Sequence, residues 1–136
     1  IRIAAANARF RFPGAAYGLV AGTAFLPRAV SLPYAMELAL TARPVDAQEA
    51  LAMGLVNRVV PEGEALTAAL GLAELIAANE PAAVFATKQA LRESLSSDLA
   101  AARQREAAIN RGYIGSEEHR RVFGDFVRQT LDRPKP

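Results

Sequence analysis

The chain has 136 residues, 51% of them hydrophobic and 22% charged, with a net charge of +2 and no cysteine. That length supports a sizeable core, and the balance is that of a globular chain rather than a disordered one. The small, evenly spread charge argues against nucleic acid as the main partner, and the missing cysteines exclude a disulfide framework, a thiolate nucleophile and a cysteine metal site.

Ile1 to Ala5 predicts a buried strand and Asn7-Ala8 a turn. In Arg9-Phe10-Arg11-Phe12 the alternation is strict, so both phenylalanines face one side and both arginines the other. Pro13-Gly14 ends that strand, Ala15 to Gly22 is a glycine-punctuated loop, and Thr23 to Val30 reads as a short helix. Leu32 to Leu40 reads as a helix with Pro33 in its first turn, where a missing N–H does little harm. Asp46 is placed to cap a further helix reaching Met53, with Val45 as a staple and Glu49 closing a capping box. Gly54 supplies the left-handed residue that ends it, and Leu55 folds back over its last turn. Val56 to Val60 is a short strand rich in β-branched residues, stopped by Pro61, and Glu62-Gly63 is a turn.

From Glu64 onward the pattern is helical. Leu66, Ala69, Leu70, Ala73, Ile76 and Ala77 share one apolar face. Asn79-Glu80-Pro81 breaks that helix and starts another, in which Val84, Lys88, Leu91 and Leu95 fall on one side. Asp98 caps a third, through Arg111, and Gly112 and Gly115 flank Tyr113-Ile114. Ser116 caps a last helix with Val122, Phe123, Phe126 and Val127 on its buried side. Asp132 to Pro136 reads as a polar tail that frays. Arg, Glu or Asp interrupts every apolar stretch before it reaches the length of a membrane span.

The run Ala35 to Pro61, AMELALTARPVDAQEALAMGLVNRVVP, resembles the crotonase superfamily of enoyl-CoA hydratases and isomerases. Members share a helix end A-x-E-x-x-L-T, then A-x-E-A-x-x-x-G-L-V and a strand ending in V-P. The resemblance extends to Ile1–Ala5, Ala8–Pro13, Pro81 and Ala86-Thr87-Lys88-Gln89-Ala90-Leu91, and returns faintly at Ser116-Glu117-Glu118. It implies an α/β fold: residues 1–63 as the end of a crotonase-type ββα spiral core with the active-site loop, and 64–136 as a C-terminal helical oligomerisation segment. Relatives begin the Ile1 strand well into their chains, so the resemblance also implies the C-terminal portion of a longer protein.

For the site, the resemblance implies an acyl-CoA thioester whose carbonyl oxygen is held by two backbone N–H groups, stabilising an enolate while carboxylates move protons. One of those carboxylates follows an F-x-x-P motif, here Phe10-Arg11-Phe12-Pro13, and the residue that follows is Gly14. No residue of this chain is therefore assigned as acid or base. Substrate-binding positions are Gly14, Tyr17 and Gly22, although Tyr17 also reads as a packing aromatic and Gly22 as a plain turn glycine. The loop is about three residues shorter than the family pattern G-x-x-P-G-x-G-G-T-x-R-L-P-R and lacks its glycine cluster. Lys88 is placed near the CoA nucleotide or reads as a solvated helix-face lysine. Tyr113, or Ile114 if the register slips, falls near the adenine or packs in the core. His119 reads as a surface residue without metal-ligand spacing, and Arg121-Val122 replaces a common E-G pair. The implied setting is cytoplasmic, with no cofactor beyond the coenzyme A of the substrate. The implied partners are acyl-CoA and further copies of the chain, as a trimer or dimer of trimers, without nucleic acid or membrane. A non-catalytic acyl-CoA-binding or oligomerisation subunit of the same family is the alternative, and a helical interaction module unrelated to CoA a third.

Overall fold

The computed structural model describes residues 1–131, with side chains through Arg128, so the expected polar tail lies outside the described residues. The chain divides into two compact units, residues 1–75 and the residues from 76 onward. That division falls within a helix, not at the composition change at 63/64.

In the first unit β1 (Ile3–Ala5) pairs in parallel with β4 (Arg58–Val60), Ala4 opposite Val59. Of β1 only Ala4 is buried, and Ile1, expected inside the strand, is 79% exposed. β2 (Arg9–Phe10) pairs antiparallel with β3 (Val45–Asp46). The alternation across Arg9–Phe12 holds, with both phenylalanines packed against the core and both arginines exposed. The ladder stops at Phe10 because the antiparallel register sets Arg11 opposite Pro44, which has no N–H to donate. Arg11 instead sends its Nε–H to the Ala42 carbonyl at 2.8 Å.

Between these strands lie α1 (Leu26–Ala29), α2 (Leu32–Thr41) and α3 (Ala47–Ala52). The expected helix from Thr23 to Val30 shrinks to α1, because Gly22 occupies a left-handed turn (φ 78°) just before it. α2 ends at Ala42, a non-glycine residue at φ 53° whose N–H donates to Leu38. α3 is bracketed as its sequence requires. Asp46 accepts the Glu49 N–H at 2.8 Å, the N-cap bond. Gly54 sits at φ 77°, its N–H donating to Leu51 at 3.0 Å, while Val56 N–H donates to Ala50 at 3.2 Å. The capping box is left open, since the Glu49 carboxylate is held by Arg43, which also pairs with Glu37 at 2.6 Å. That guanidinium holds Glu49 below the usual carboxylate range. β4 starts two residues later than expected: Val56 closes α3, and Asn57 exchanges hydrogen bonds with the Arg2 backbone, both at 2.8 Å.

The core lies within residues 4–56, around Leu38, Val45, Ala47 and Ala50, none more than 1% exposed. α4 (Ala65–Ala77) follows with no buried residue; Leu66 and Leu70 of its apolar stripe are 70% and 56% exposed. In the second unit α5 (Pro81–Ser94) packs on α6 (Leu99–Tyr113), and α7 (Glu117–Leu131) follows. Asp98 caps α6 through Ala101 N–H at 2.8 Å, and Ser116 caps α7 through His119 N–H at 3.1 Å. α6 runs two residues past its expected end, through Gly112 to Tyr113. Val122, Phe123 and Phe126, expected on a buried side, are exposed. Spacing identifies the apolar side of a helix but not whether another surface meets it. His119 is half-buried rather than a plain surface residue, stacked on Phe123 at 5.7 Å. Among the described residues, no single helix is long and apolar enough to cross a membrane.

Leu38 is fully enclosed, so Leu38→Ala is expected to cost about 2–5 kcal/mol in denaturant unfolding. Gly54→Ala meets no neighbour but keeps a positive φ, and its expected cost is only about 1 kcal/mol.

Candidate functional site

The expected substrate-binding residues share one loop of the first unit. Pro13 lacks an N–H and ends the β2 path, and Gly14 begins a 3-10 turn, Ala15–Tyr17. The Gly14 carbonyl collects two donors, Tyr17 N–H at 3.0 Å and Leu19 N–H at 2.9 Å. Gly18, at φ 70°, then reverses the chain. The turn lies against α2 and leaves Tyr17 67% exposed. Gly22 accepts the N–H groups of Phe25 and Leu26 at 3.2 and 2.9 Å, which starts α1 and anchors the loop through buried Leu26.

The loop therefore brings Gly14, Tyr17 and Gly22 into one short segment whose ends are fastened to the core. Tyr17 is its one side chain with a titratable proton; no carboxylate occurs between Phe12 and Leu26. A Cβ built on Gly14 would lie 3.0 Å from both Ala21 Cβ and the Leu19 carbonyl oxygen. This crowding was not visible in the sequence, because it depends on where the loop returns. Tyr17, Leu19, Val20 and Phe25 turn apolar surface outward.

Lys88 and Tyr113 belong to the second unit and occupy different places within it. Lys88 lines an open groove of about 530 Å³ with Phe85, Gln89, Arg92, Glu93 and Ser96. Arg92 is one helical turn beyond Lys88, so two cations share this face of α5, an arrangement suited to an anion. Glu93 does not neutralise them alone: Arg105 pairs with it at 3.1 Å and Gln89 donates to it at 3.0 Å. Arg92 was legible as a partner for Lys88 from its i+4 spacing alone.

Tyr113 is absent from that groove's lining. It is half-buried, and its hydroxyl donates to Glu80 Oε2 at 2.5 Å. Glu80 reads in the sequence as part of a helix break, and it is the α5 cap, accepting Ala83 N–H at 2.6 Å. No local pattern signals its bond to Tyr113, because the two are 33 residues apart. The Tyr113 hydroxyl, then the Ala83 N–H, hold Glu80 below the usual carboxylate range, against a smaller opposing effect of burial. The same bond, with burial, pushes Tyr113 up to about 12. Ile114 is exposed. Among the described residues no group of three or more His, Asp or Glu is arranged to hold a metal ion.

The signs of these shifts predict opposite pH limits for the Glu80–Tyr113 contact. Glu80, lowered on folding, contributes stability above the ordinary glutamate range of about 4.3, and this is lost as pH falls through its folded value. Tyr113, raised on folding, contributes below its ordinary value of about 10, and this is lost as pH rises through about 12. Tyr113→Phe is therefore expected to flatten the melting temperature's decline at both ends, read by circular dichroism. A phenolate titration should show a late step near pH 12 from Tyr113 that vanishes in the variant.

The sequence profile of the enoyl-CoA hydratase/isomerase family matches residues 1–130. The short-chain-enoyl-CoA hydratase of Clostridium acetobutylicum is 35% identical over 130 residues, covering 93% of this chain and 50% of the relative. The crystal structure of an enoyl-CoA hydratase from Bacillus anthracis superposes with a TM-score of 0.87 at 32% identity, covering 95% of this chain and 51% of that one. A Thermobifida fusca structure in complex with acetoacetyl-CoA matches with a TM-score of 0.76 at 35% identity, covering 84% of this chain and 46% of the other. The chain spans about half the length of the curated relatives it matches. The helix-rich α/β fold of this chain is that of its crotonase-type neighbours. By fold and by sequence, the chain belongs to the enoyl-CoA hydratase/isomerase family of the crotonase superfamily.

Proposed function

We propose that this chain is the C-terminal part of a protein that binds an acyl-CoA thioester and acts on it through a stabilised enolate, without a proton-transferring side chain at position 14. Family membership supports the thioester, because the matched residues include the loop and the Lys88 helix. The observation that carries the rest is Gly14, bare and closely packed, at the position where the resemblance to the F-x-x-P motif implies a carboxylate. In this reading the Pro13–Gly22 loop shapes the wall beside the reacting carbons, with Tyr17 presented from its 3-10 turn. Lys88, with Arg92, takes a phosphate of the CoA nucleotide, and Tyr113, held by Glu80, lies towards the adenine. The coenzyme A of the substrate is the only cofactor, and the setting is cytoplasmic fatty acid metabolism. The exposed apolar sides of α4 to α7 are suited to assembly with further copies, as a trimer or dimer of trimers.

The second reading is an acyl-CoA-binding or assembly subunit without turnover. Gly14 favours it too, because a glycine can neither exchange a proton nor orient a water through a side chain. In both readings, crotonyl-CoA is expected to raise the melting temperature of the natural protein saturably, with about 2.7 kcal/mol of stabilisation at about 100 times Kd. In the first, hydration followed by loss of enoyl absorbance should be at least about a hundredfold slower than in a family member that carries the glutamate. Binding without any turnover on enoyl-CoA thioesters supports the second reading. Absence of binding overturns both.

A further inference from the structure

We propose that Leu19 and Ala21 crowd any side chain placed at position 14, so that the path of the loop, and not Gly14 alone, sets what this site can do. The chemical meaning rests on the reading of position 14 given above; the packing does not. Gly14 has φ −49° and ψ −55°, a conformation open to any residue. Its backbone therefore gives no reason for glycine. Its surroundings do. An added Cβ would lie 3.0 Å from Ala21 Cβ, 3.0 Å from the Leu19 carbonyl oxygen and 3.3 Å from the Ala21 nitrogen. Two of these atoms are backbone and the third is fixed directly to it, so no side-chain rotation relieves the contact.

The other loop glycines differ. Gly18 and Gly22 have positive φ, and nothing lies nearer than 4.0 Å to a Cβ built on either. They are glycine for conformation, Gly14 for closeness. The segment pressed on Gly14 is also tied to it, because Leu19 N–H donates to the Gly14 carbonyl at 2.9 Å. Leu19 and Val20 are 63% and 90% exposed, so core burial of their side chains does not hold the segment in place. The ring of bonds through Gly14, Tyr17 and Leu19 does. Any side chain at 14 must displace the backbone held by this ring by a few tenths of an ångström, which strains the bonds from Tyr17 and Leu19.

Amide exchange at Tyr17 and Leu19, the two donors to Gly14, tests this directly in the natural protein. Gly14→Ala is expected to speed both by about tenfold or more while leaving the α2 amides around Leu38 unchanged. Adding Ala21→Gly should restore part of the protection. Unchanged exchange in Gly14→Ala overturns the proposal, as does a double variant that exchanges as fast as the single one. Gly14→Glu is expected to add no crotonyl-CoA hydration, and a gain from that substitution alone would also overturn it. Failure of crotonyl-CoA to bind the unmutated protein would end the acyl-CoA reading while leaving the exchange result to stand for itself.

Discussion

The first unit depends on the thinness of α3. Ala47 and Ala50 are both 0% exposed, on a helix of only six residues. A helix that short has no stability of its own in water, so its ends and its contacts must hold it. Asp46 and Gly54 fix the ends, and the two alanines let β2, β3 and β4 approach the backbone closely. Larger residues at either position would push the two small strand pairs away. The Pro13–Gly22 loop inherits its placement from this arrangement. Phe12 before it packs on the cluster around α3, and Leu26 after it is part of that cluster.

Much of this was legible in the sequence, for a definite reason. The bonds from Asp46, Asp98 and Ser116 to the N–H three residues on are made within one turn, so the signal and its partner sit together in the chain. The left-handed Gly54 and the alternation of Phe10 and Phe12 are equally local. What could not be read depends on distant chain or on a missing surface. Pro44, opposite Arg11 in the β2–β3 register, has no N–H to donate, so the strand stops where its own letters would continue. Glu49 closes no box because Arg43, brought near by the α2–α3 corner, holds its carboxylate. The glycine at 14 is visible in the sequence, while the neighbours that crowd it are not.

The division between the units has the same logic. Among the described residues, buried apolar side chains are confined to residues 4–56, and α4, α5 and α6 contain none. Their order comes from caps, from Glu93 with Arg105, and from Glu80 with Tyr113 rather than from an enclosed core. These helices hold cations and aromatics on open faces, which suits contact with a charged, elongated ligand or with other copies. The first unit instead offers a loop anchored at both ends. The proposed tasks of the two units differ accordingly: polar recognition in one, and control of the reacting carbons in the other.

Ala42 limits what the corner between α2 and β3 can accept. It carries a Cβ at φ 53°, is 4% exposed, and its carbonyl is held by the Arg11 guanidinium from a segment 31 positions earlier. A β-branched residue would be strained there, a long one would have no space, and glycine would relieve the backbone while emptying a filled spot. The tolerated alphabet at this corner is therefore very small. Substitutions at exposed positions of α4 to α6 are expected to cost less stability than substitutions at the bend between α2 and β3.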